Sequence, residues 1–260
     1  MESFISLENV SVRFRSYYGS SSGLKEAVLR RLRPPQWKKN ISLPPREFWG
    51  LKDVDLQLRE GDRLGIIGRN GAGKSTLLKV ISRIYRPTEG TIGVSGRIAP
   101  LIEIGAGFNP ELSGRENAYL NGSVLGISRR QISERLDSII QFSELAEFID
   151  MPIKYYSTGM NLKLAFTLAT EIPPDILILD ELYAGGDAAF ITKANVRLQK
   201  FVDSSKILIL VAHNLEYIQQ FCNRVMVLDH GRVVDHGEPA EMVKRYLDFC
   251  GGNANAFGAA

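Results

Sequence analysis

The chain has 260 residues, 44% hydrophobic and 23% charged, the ordinary composition of a soluble globular protein with a substantial core in one large domain or two small ones. A formal net charge of +3 is too small to argue for nucleic-acid binding, and apolar runs such as Ile207 to Ala212 fall far short of the roughly 18 residues that cross a bilayer. The start, Met1-Glu2-Ser3-Phe4, lacks the basic-then-apolar pattern of a secretory leader, so the expected location is the cytosol or its membrane face; Cys222 and Cys250 fit no metal or redox spacing.

Ile5 to Phe14 alternates as a β-strand does, with Ile5, Leu7, Val10 and Val12 apolar. Residues 15–47 form an insertion with a turn-rich start, a short basic amphipathic helix, and the pairs Pro34-Pro35 and Pro44-Pro45. Within it Leu24 to Asn40 carries Lys25, Arg30, Arg31, Arg33, Lys38 and Lys39 against Glu26 alone, so the remainder of the chain is slightly acidic. Leu24, Val28, Leu29 and Leu32 at helical spacing, with Trp37 near the end, suit a membrane interface, where this segment is expected to lie. Phe48 to Leu58 resumes strand alternation, and Arg59-Glu60-Gly61-Asp62 turns into a short buried strand, Arg63 to Ile67.

Next comes Gly68-Arg69-Asn70-Gly71-Ala72-Gly73-Lys74-Ser75-Thr76, which matches G-x-x-x-x-G-K-S/T, and then Leu77-Leu78-Lys79-Val80-Ile81 at helical spacing. Strand, glycine loop and helix in that order are the context this phosphate-binding motif needs. The glycines let consecutive N–H groups turn into one concavity at the positive end of a helix. A nucleoside triphosphate is the expected ligand, with Lys74 reaching the β- and γ-phosphates and the Ser75 hydroxyl on Mg²⁺.

Gly90 to Ala99 reads as a second set of short strands, Ile104 to Pro110 as a loop, and Ser113 to Phe148 as helical with a break at Gly126. Ser113 with Glu116 and Ser128 with Gln131 are capping boxes. A helix from Ser157-Thr158-Gly159-Met160 runs through Thr170, and Ala188 to Val202, Leu215 to Cys222 and Glu238 to Cys250 are helical. Ile176 to Leu179 and Lys206 to Ala212 are apolar strands of the kind buried on both faces of a parallel sheet. Val225 to Leu228 and Arg232 to Val234 form a hairpin about Asp229-His230-Gly231. The first of the buried strands ends in Asp180-Glu181, as a Walker B strand does: Asp180 for Mg²⁺, Glu181 to polarise a water.

These elements together resemble the ATP-binding cassette family over nearly the whole chain. Tyr156-Ser157-Thr158-Gly159-Met160 stands where that family has its signature, Ala184-Gly185-Gly186-Asp187 stands at its D-loop, and His213 at its switch histidine. Leu101 to Asn117, the Tyr-Ser-x-Gly-Met signature and the insertion resemble the ATPase subunits of bacterial O-antigen, capsule and teichoic acid exporters. The resemblance implies an α/β P-loop NTPase with a RecA-like, mostly parallel core sheet, an antiparallel β-subdomain and a helical subdomain at about residues 110–166. Residues 1–250 would form the nucleotide-binding domain and 251–260 a flexible tail.

It also implies a set of roles. Gly68, Asn70, Gly71, Ala72, Gly73, Lys74, Ser75 and Thr76 would hold the ATP phosphates, and Phe14, with Tyr17 as the alternative, would stack on adenine. Ser157, Thr158, Gly159 and Asp187 would serve nucleotide across a homodimer. Ser75, Asp180 and Glu103 would be Mg²⁺ ligands, Glu103 standing where most cassettes have a glutamine. Glu181, His213 and Lys74 would be catalytic. Phe108, expected to be exposed on the loop Gly105 to Asn109, would meet the coupling helix of a membrane subunit. The implied partners are two copies of a polytopic membrane subunit and, through them, a lipid-linked polysaccharide at the cytoplasmic face of a bacterial inner membrane; no nucleic acid is implied. The alternative is a soluble cassette ATPase of the translation or DNA-repair type.

Overall fold

The computed structural model describes residues 2–16, 46–102, 105, 107–180, 187–212 and 214–251. Residues 17–45 of the insertion read as 15–47, Tyr17 among them, Glu103, Glu181, Ala184-Gly185-Gly186, His213 and the tail from residue 252 lie outside the described residues; residues 15, 16, 46 and 47 of that insertion belong instead to the paired strands on either side.

The first part of the chain gives strands β1 (Phe4–Ser16), β2 (Arg46–Arg59) and β3 (Arg63–Ile67), helix α1 (Lys74–Ile81), and strands β4 (Glu89–Ser95) and β5 (Ile98–Leu101). Helices α2 (Gly114–Val124), α3 (Arg129–Ser143) and α4 (Thr158–Ala169) follow, with a 3₁₀ turn at Ile153–Tyr155. Strand β6 (Ile176–Asp180), helix α5 (Ala188–Ser204), strand β7 (Ile207–Val211), helix α6 (Leu215–Phe221), strands β8 (Arg224–Asp229) and β9 (Arg232–Gly237) and helix α7 (Pro239–Cys250) complete it.

Two sheets result. One is antiparallel, in the order β2-β1-β4; the other runs β5-β6-β7-β3-β8-β9, parallel except where β9 pairs antiparallel with β8. The residues read as one set of short strands, Gly90 to Ala99, divide between the two sheets: β4 pairs with β1, while β5 pairs with β6. Local alternation carries no information on which sheet a strand joins, and here the switch falls at Gly96, whose φ is +111°.

The parallel strands are apolar throughout because both faces are covered. In β6 and β7 the isoleucines and leucines sort by face. Ile176, Ile178, Ile207 and Ile209 join the core shared with α1 and the antiparallel sheet, whereas Leu177, Leu179, Leu208 and Leu210 join the core under α5, α6 and α7. Strand alternation puts successive residues on opposite faces, so these two tetrads are the two interfaces of the central layer.

The helices of the middle segment start where their caps predict. Ser113 with Glu116 and Ser128 with Gln131 both form complete capping boxes, each side-chain oxygen satisfying an N–H that the helix cannot. Their own core contains Ile132, Ile139, Leu145, Ile149 and Leu164. Phe108 packs against this cluster and is half-buried, so the expectation of an exposed phenylalanine is corrected: the loop folds back on the helices and shields the ring from water. A second contact, between Phe142 of α3, Phe166 of α4 and Phe190 of α5, ties the helices to the core layer at ring separations of 5.8 to 6.5 Å.

The loop before α2 is organised by one buried amide. Asn117, 0% exposed, donates to the carbonyl oxygens of Asn109, Leu112 and Ser113 and accepts from the N–H of Asn109. Asn117→Ala strands those backbone groups away from water, and a loss of about 3 kcal/mol is expected; urea denaturation followed by circular dichroism measures it.

Candidate functional site

The phosphate-binding loop leaves β3 at Ile67 and enters α1 at Lys74. Gly73, the residue preceding the helix, sits at φ +108°, and a Cβ there would come within 2.6 Å of the Gly50 carbonyl oxygen. Only glycine meets both the left-handed conformation and that close approach. The loop is held from behind by main-chain bonds: the Gly231 N–H donates to the Ala72 carbonyl at 2.8 Å, and the Lys52 N–H donates to the Gly231 carbonyl at 2.8 Å. Gly231 belongs to the two-residue turn of the β8–β9 hairpin, where His230 and Gly231 both have positive φ, at 45° and 80°. The Lys74 ammonium donates to the Gly68 and Arg69 carbonyls at 2.7 and 3.2 Å, so the cation lies folded across the loop it serves.

A cleft of about 620 Å³ opens at this helix N-terminus. Its polar wall is the loop and first turn, residues 70–76. Asp180 and Val211, at the carboxyl ends of β6 and β7, close one side, the side on which parallel α/β sheets bind ligands. Phe14, Phe48, Trp49 and Gly50 form the other wall, which makes one end of the cleft electropositive and the other flat and apolar.

The sequence picked out Phe14 and missed Phe48 and Trp49. Phe14 does line the cleft, but its ring is packed at 5.5 Å from Phe48 and 5.7 Å from Tyr85, in space left by Gly50, where a Cβ would lie 2.5 Å from it. Phe48 is paired in register with Phe14 across β1 and β2 and is 54% exposed. Trp49 sits beneath Arg13 and Lys52 at 5.4 and 5.7 Å. The adjacent aromatics at the start of β2 were a visible signal, but only the strand register carries them to the cleft.

Ser75 and Asp180 line the same cleft as the loop, a hydroxyl and a carboxylate suited to a hard cation. Among the described residues no group of three or more His, Cys, Asp or Glu side chains is placed to hold a metal ion by itself. Mg²⁺ therefore fits here as an ion that keeps phosphate oxygens and waters among its ligands. Glu103, Glu181 and His213 follow the cleft residues Ile102, Asp180 and Val211 within two positions of sequence and lie outside the described residues.

The remaining predicted residues are not brought to this cleft. Ser157 caps α4, accepting from the Met160 N–H at 3.2 Å, and Ser157 and Thr158 are exposed. Asp187 caps α5, accepting from the Phe190 N–H at 2.8 Å, and its other oxygen meets the Lys163 ammonium at 2.6 Å. Lys163 first, and then the Phe190 N–H, hold the Asp187 carboxyl down at about 2. Within a single chain Asp187 is thus a cap and an ion-pair partner; helix starts favour short acids as caps.

The family model described as ABC transporter matches residues 51–184, just over half of the chain and the part that holds the loop and Asp180. The chain belongs to the ABC transporter family. The O-antigen export system ATP-binding protein RfbB of Klebsiella pneumoniae is 37% identical over 246 residues, covering 95% of this chain and 98% of the relative. RfbB of Myxococcus xanthus is 43% identical over 92% of this chain, which spans 54% of that longer protein. The teichoic acids export ATP-binding protein TagH of Staphylococcus haemolyticus is 34% identical, covering 94% of this chain and 88% of the relative. A dimeric ATP-binding cassette in a post-hydrolysis state bound to ADP and Pi superposes with a TM-score of 0.62 at 21% identity, covering 90% of this chain and 98% of the other, a likeness of fold. As an ABC-type ATPase the chain binds ATP.

The exposure of the two aromatics separates their roles. Phe48→Ala is expected to weaken ATP binding about tenfold by removing a stacking face while leaving the melting temperature unchanged, whereas Phe14→Ala lowers both; fluorescent-nucleotide titration beside thermal unfolding checks the difference.

Proposed function

We propose that this chain is the ATP-hydrolysing subunit of an exporter that moves a lipid-linked cell-surface polysaccharide across a bacterial cytoplasmic membrane. The observation that carries the reading is the 37% identity to the Klebsiella O-antigen export subunit over 98% of its length, joined to a cleft with the phosphate loop and Asp180 in place. No helix among the described residues is long and apolar enough to cross a membrane. Passage through the bilayer is assigned to two copies of a separate polytopic subunit, with this chain as a homodimer on the cytoplasmic face.

In this reading the chain works by charge placement. The main-chain N–H groups of residues 70–76 and the Lys74 ammonium bind and orient the triphosphate. Ser75 and Asp180 would hold Mg²⁺, which would supply neutralisation of charge on the phosphate oxygens. Glu181 orients the attacking water and accepts its proton, and His213 contacts the γ-phosphate. Glu103 would be a further ligand for the metal. Ser157, Thr158 and Gly159, at the N-terminus of α4, meet the nucleotide of the second copy; Ser157 and Thr158 are exposed and free to do so.

A surface for the membrane subunit is supported by a shallow apolar groove of about 170 Å³ lined by Ile84, Pro100, Ile102, Val124, Leu125 and Ala165 among others. Ile84 and Val124 are 58% and 70% exposed. This groove, rather than Phe108, carries the exposed apolar side chains next to the loop at Gly105.

Glu181→Gln is expected to bind ATP, lose turnover, and elute as an ATP-dependent dimer from a sizing column, while Lys74→Ala loses most ATP affinity; a Glu181→Gln protein that hydrolyses at the wild-type rate removes the catalytic assignment. Val124→Asp is expected to leave the ATPase of the purified chain within about twofold of wild type, as exposed substitutions usually do, while releasing the chain from membranes of its native host. Retention in the membrane fraction argues against the groove as the docking surface.

A further inference from the structure

Charged side chains rim the three packed phenylalanines: Arg197 lies 4.3 Å over Phe142, and four others form a linked cluster. Glu144, the residue that ends α3 with φ +61°, receives the ammonium groups of Lys163 on α4 and Lys193 on α5, both at 2.6 Å. Lys163 also reaches Asp187 at 2.6 Å. Both ammonium groups lie over the Phe190 ring, at 5.2 and 5.1 Å, so the cations rest on the aromatic cluster while pairing at its edge.

The members of this cluster differ in position. Lys163 lies on the helix whose N-terminus is Ser157-Thr158-Gly159, and its side chain is only 13% exposed. Asp187 is the first described residue after Asp180, which lines the nucleotide cleft. Lys163 is thus the one described side chain ion-paired at once to the end of α3 and to the start of α5. Lys193 shares Glu144 and the phenylalanine rings but, among the described ion pairs, makes none with Asp187.

We infer that Lys163 is a positioning residue for hydrolysis: its ion pair with Asp187 holds the start of α5 to the signature end of α4. The inference rests on the dimeric ATPase reading given above. A second copy's nucleotide bound at the start of α4 would shift that helix, and the Lys163–Asp187 contact would pass the shift to the start of α5. The phenylalanine cluster is the pivot, because packed rings hold the distance between α4 and α5 while leaving charged groups at its rim to set the angle. An ammonium that is nearly enclosed moves with its own helix. Asp187 is 58% exposed and caps the start of α5, so it is the partner that follows.

The substitutions that test this separate the Asp187 contact from the rest of the cluster. Asp187→Asn retains a side chain that caps α5 as well as aspartate does and removes only the charge. Lys163→Gln removes the cation, and Lys163→Arg restores it. Lys193→Gln deletes an ion pair of the same chemistry from the same cluster without touching Asp187. The purified full chain is assayed for kcat and KM on ATP with melting temperature measured in parallel. Lys163→Gln and Asp187→Asn are each expected to lower kcat about tenfold at nearly unchanged KM, the size of a loss from misplacing reacting groups. The double variant is expected to be no slower than either single, since both delete one coupling. Lys163→Arg is expected to recover kcat, and Lys193→Gln to lower the melting temperature as much as Lys163→Gln with wild-type kcat. Equal loss of kcat in Lys193→Gln, or losses that multiply in the double variant, would show a structural role and overturn the inference. Wild-type turnover that rises with protein concentration, as a dimeric site requires, paired with wild-type kcat in Lys163→Gln overturns the positioning role alone. Turnover per chain independent of concentration over the dimerisation range overturns the dimeric reading and this inference together.

Discussion

Everything about the cleft depends on holding the main chain of the glycine loop in one shape. A flexible glycine loop would lose that advantage, since ordering it on binding would cost conformational entropy. The loop here is ordered by its surroundings. The Ala72 carbonyl is tied to Gly231, Gly231 is tied in turn to Lys52, and the Lys74 ammonium is bonded to the carbonyls of Gly68 and Arg69. Three parts of the chain distant in sequence thereby act as one frame.

The same frame decides how the cleft is divided between a polar and an aromatic end. Its polar end comes from the parallel sheet and its aromatic end from the antiparallel sheet, and Gly50 is where the two meet. The carbonyl of Gly50 abuts Gly73, and its missing side chain makes room for the Phe14 ring. The central layer can serve as the support because its two faces are finished separately, isoleucines toward α1 and leucines toward α5, α6 and α7. Close packing of that kind gives a platform that resists deformation, so displacement is left to the helices beyond it and to their charged rim.

Most of the fold was legible because its signals are local. Apolar runs at Ile176 and Ile207, the two capping boxes, the Asp229-His230-Gly231 turn and the glycine loop each encode their conformation within a few residues, and each stands where the sequence puts it. What was not legible depended on pairing over long separations. The division of β4 from β5, the partnership of Phe48 with Phe14, and the burial of Phe108 against α2 to α4 are set by which distant segment lies opposite. Asp187 shows what a motif leaves open. A motif names a residue's neighbourhood in the chain, whereas its hydrogen bonds to Phe190 and Lys163 show what its oxygens are engaged with.

The bond from Gly231 to Ala72 also sets an order of events during synthesis. A ribosome makes the glycine loop early, with its strand and helix, but the hairpin turn that braces it is among the later parts of the chain to emerge. β3 likewise waits for both of its neighbours, β7 and β8. Contacts between residues so far apart in sequence form late and make folding slow. The nascent chain therefore carries a phosphate motif without a phosphate site for most of its translation, and it cannot draw on the cell's abundant ATP to stabilise a partly made core. Nucleotide becomes a stabilising ligand only once the hairpin is in place, so that ligand binding reports on the arrival of that turn.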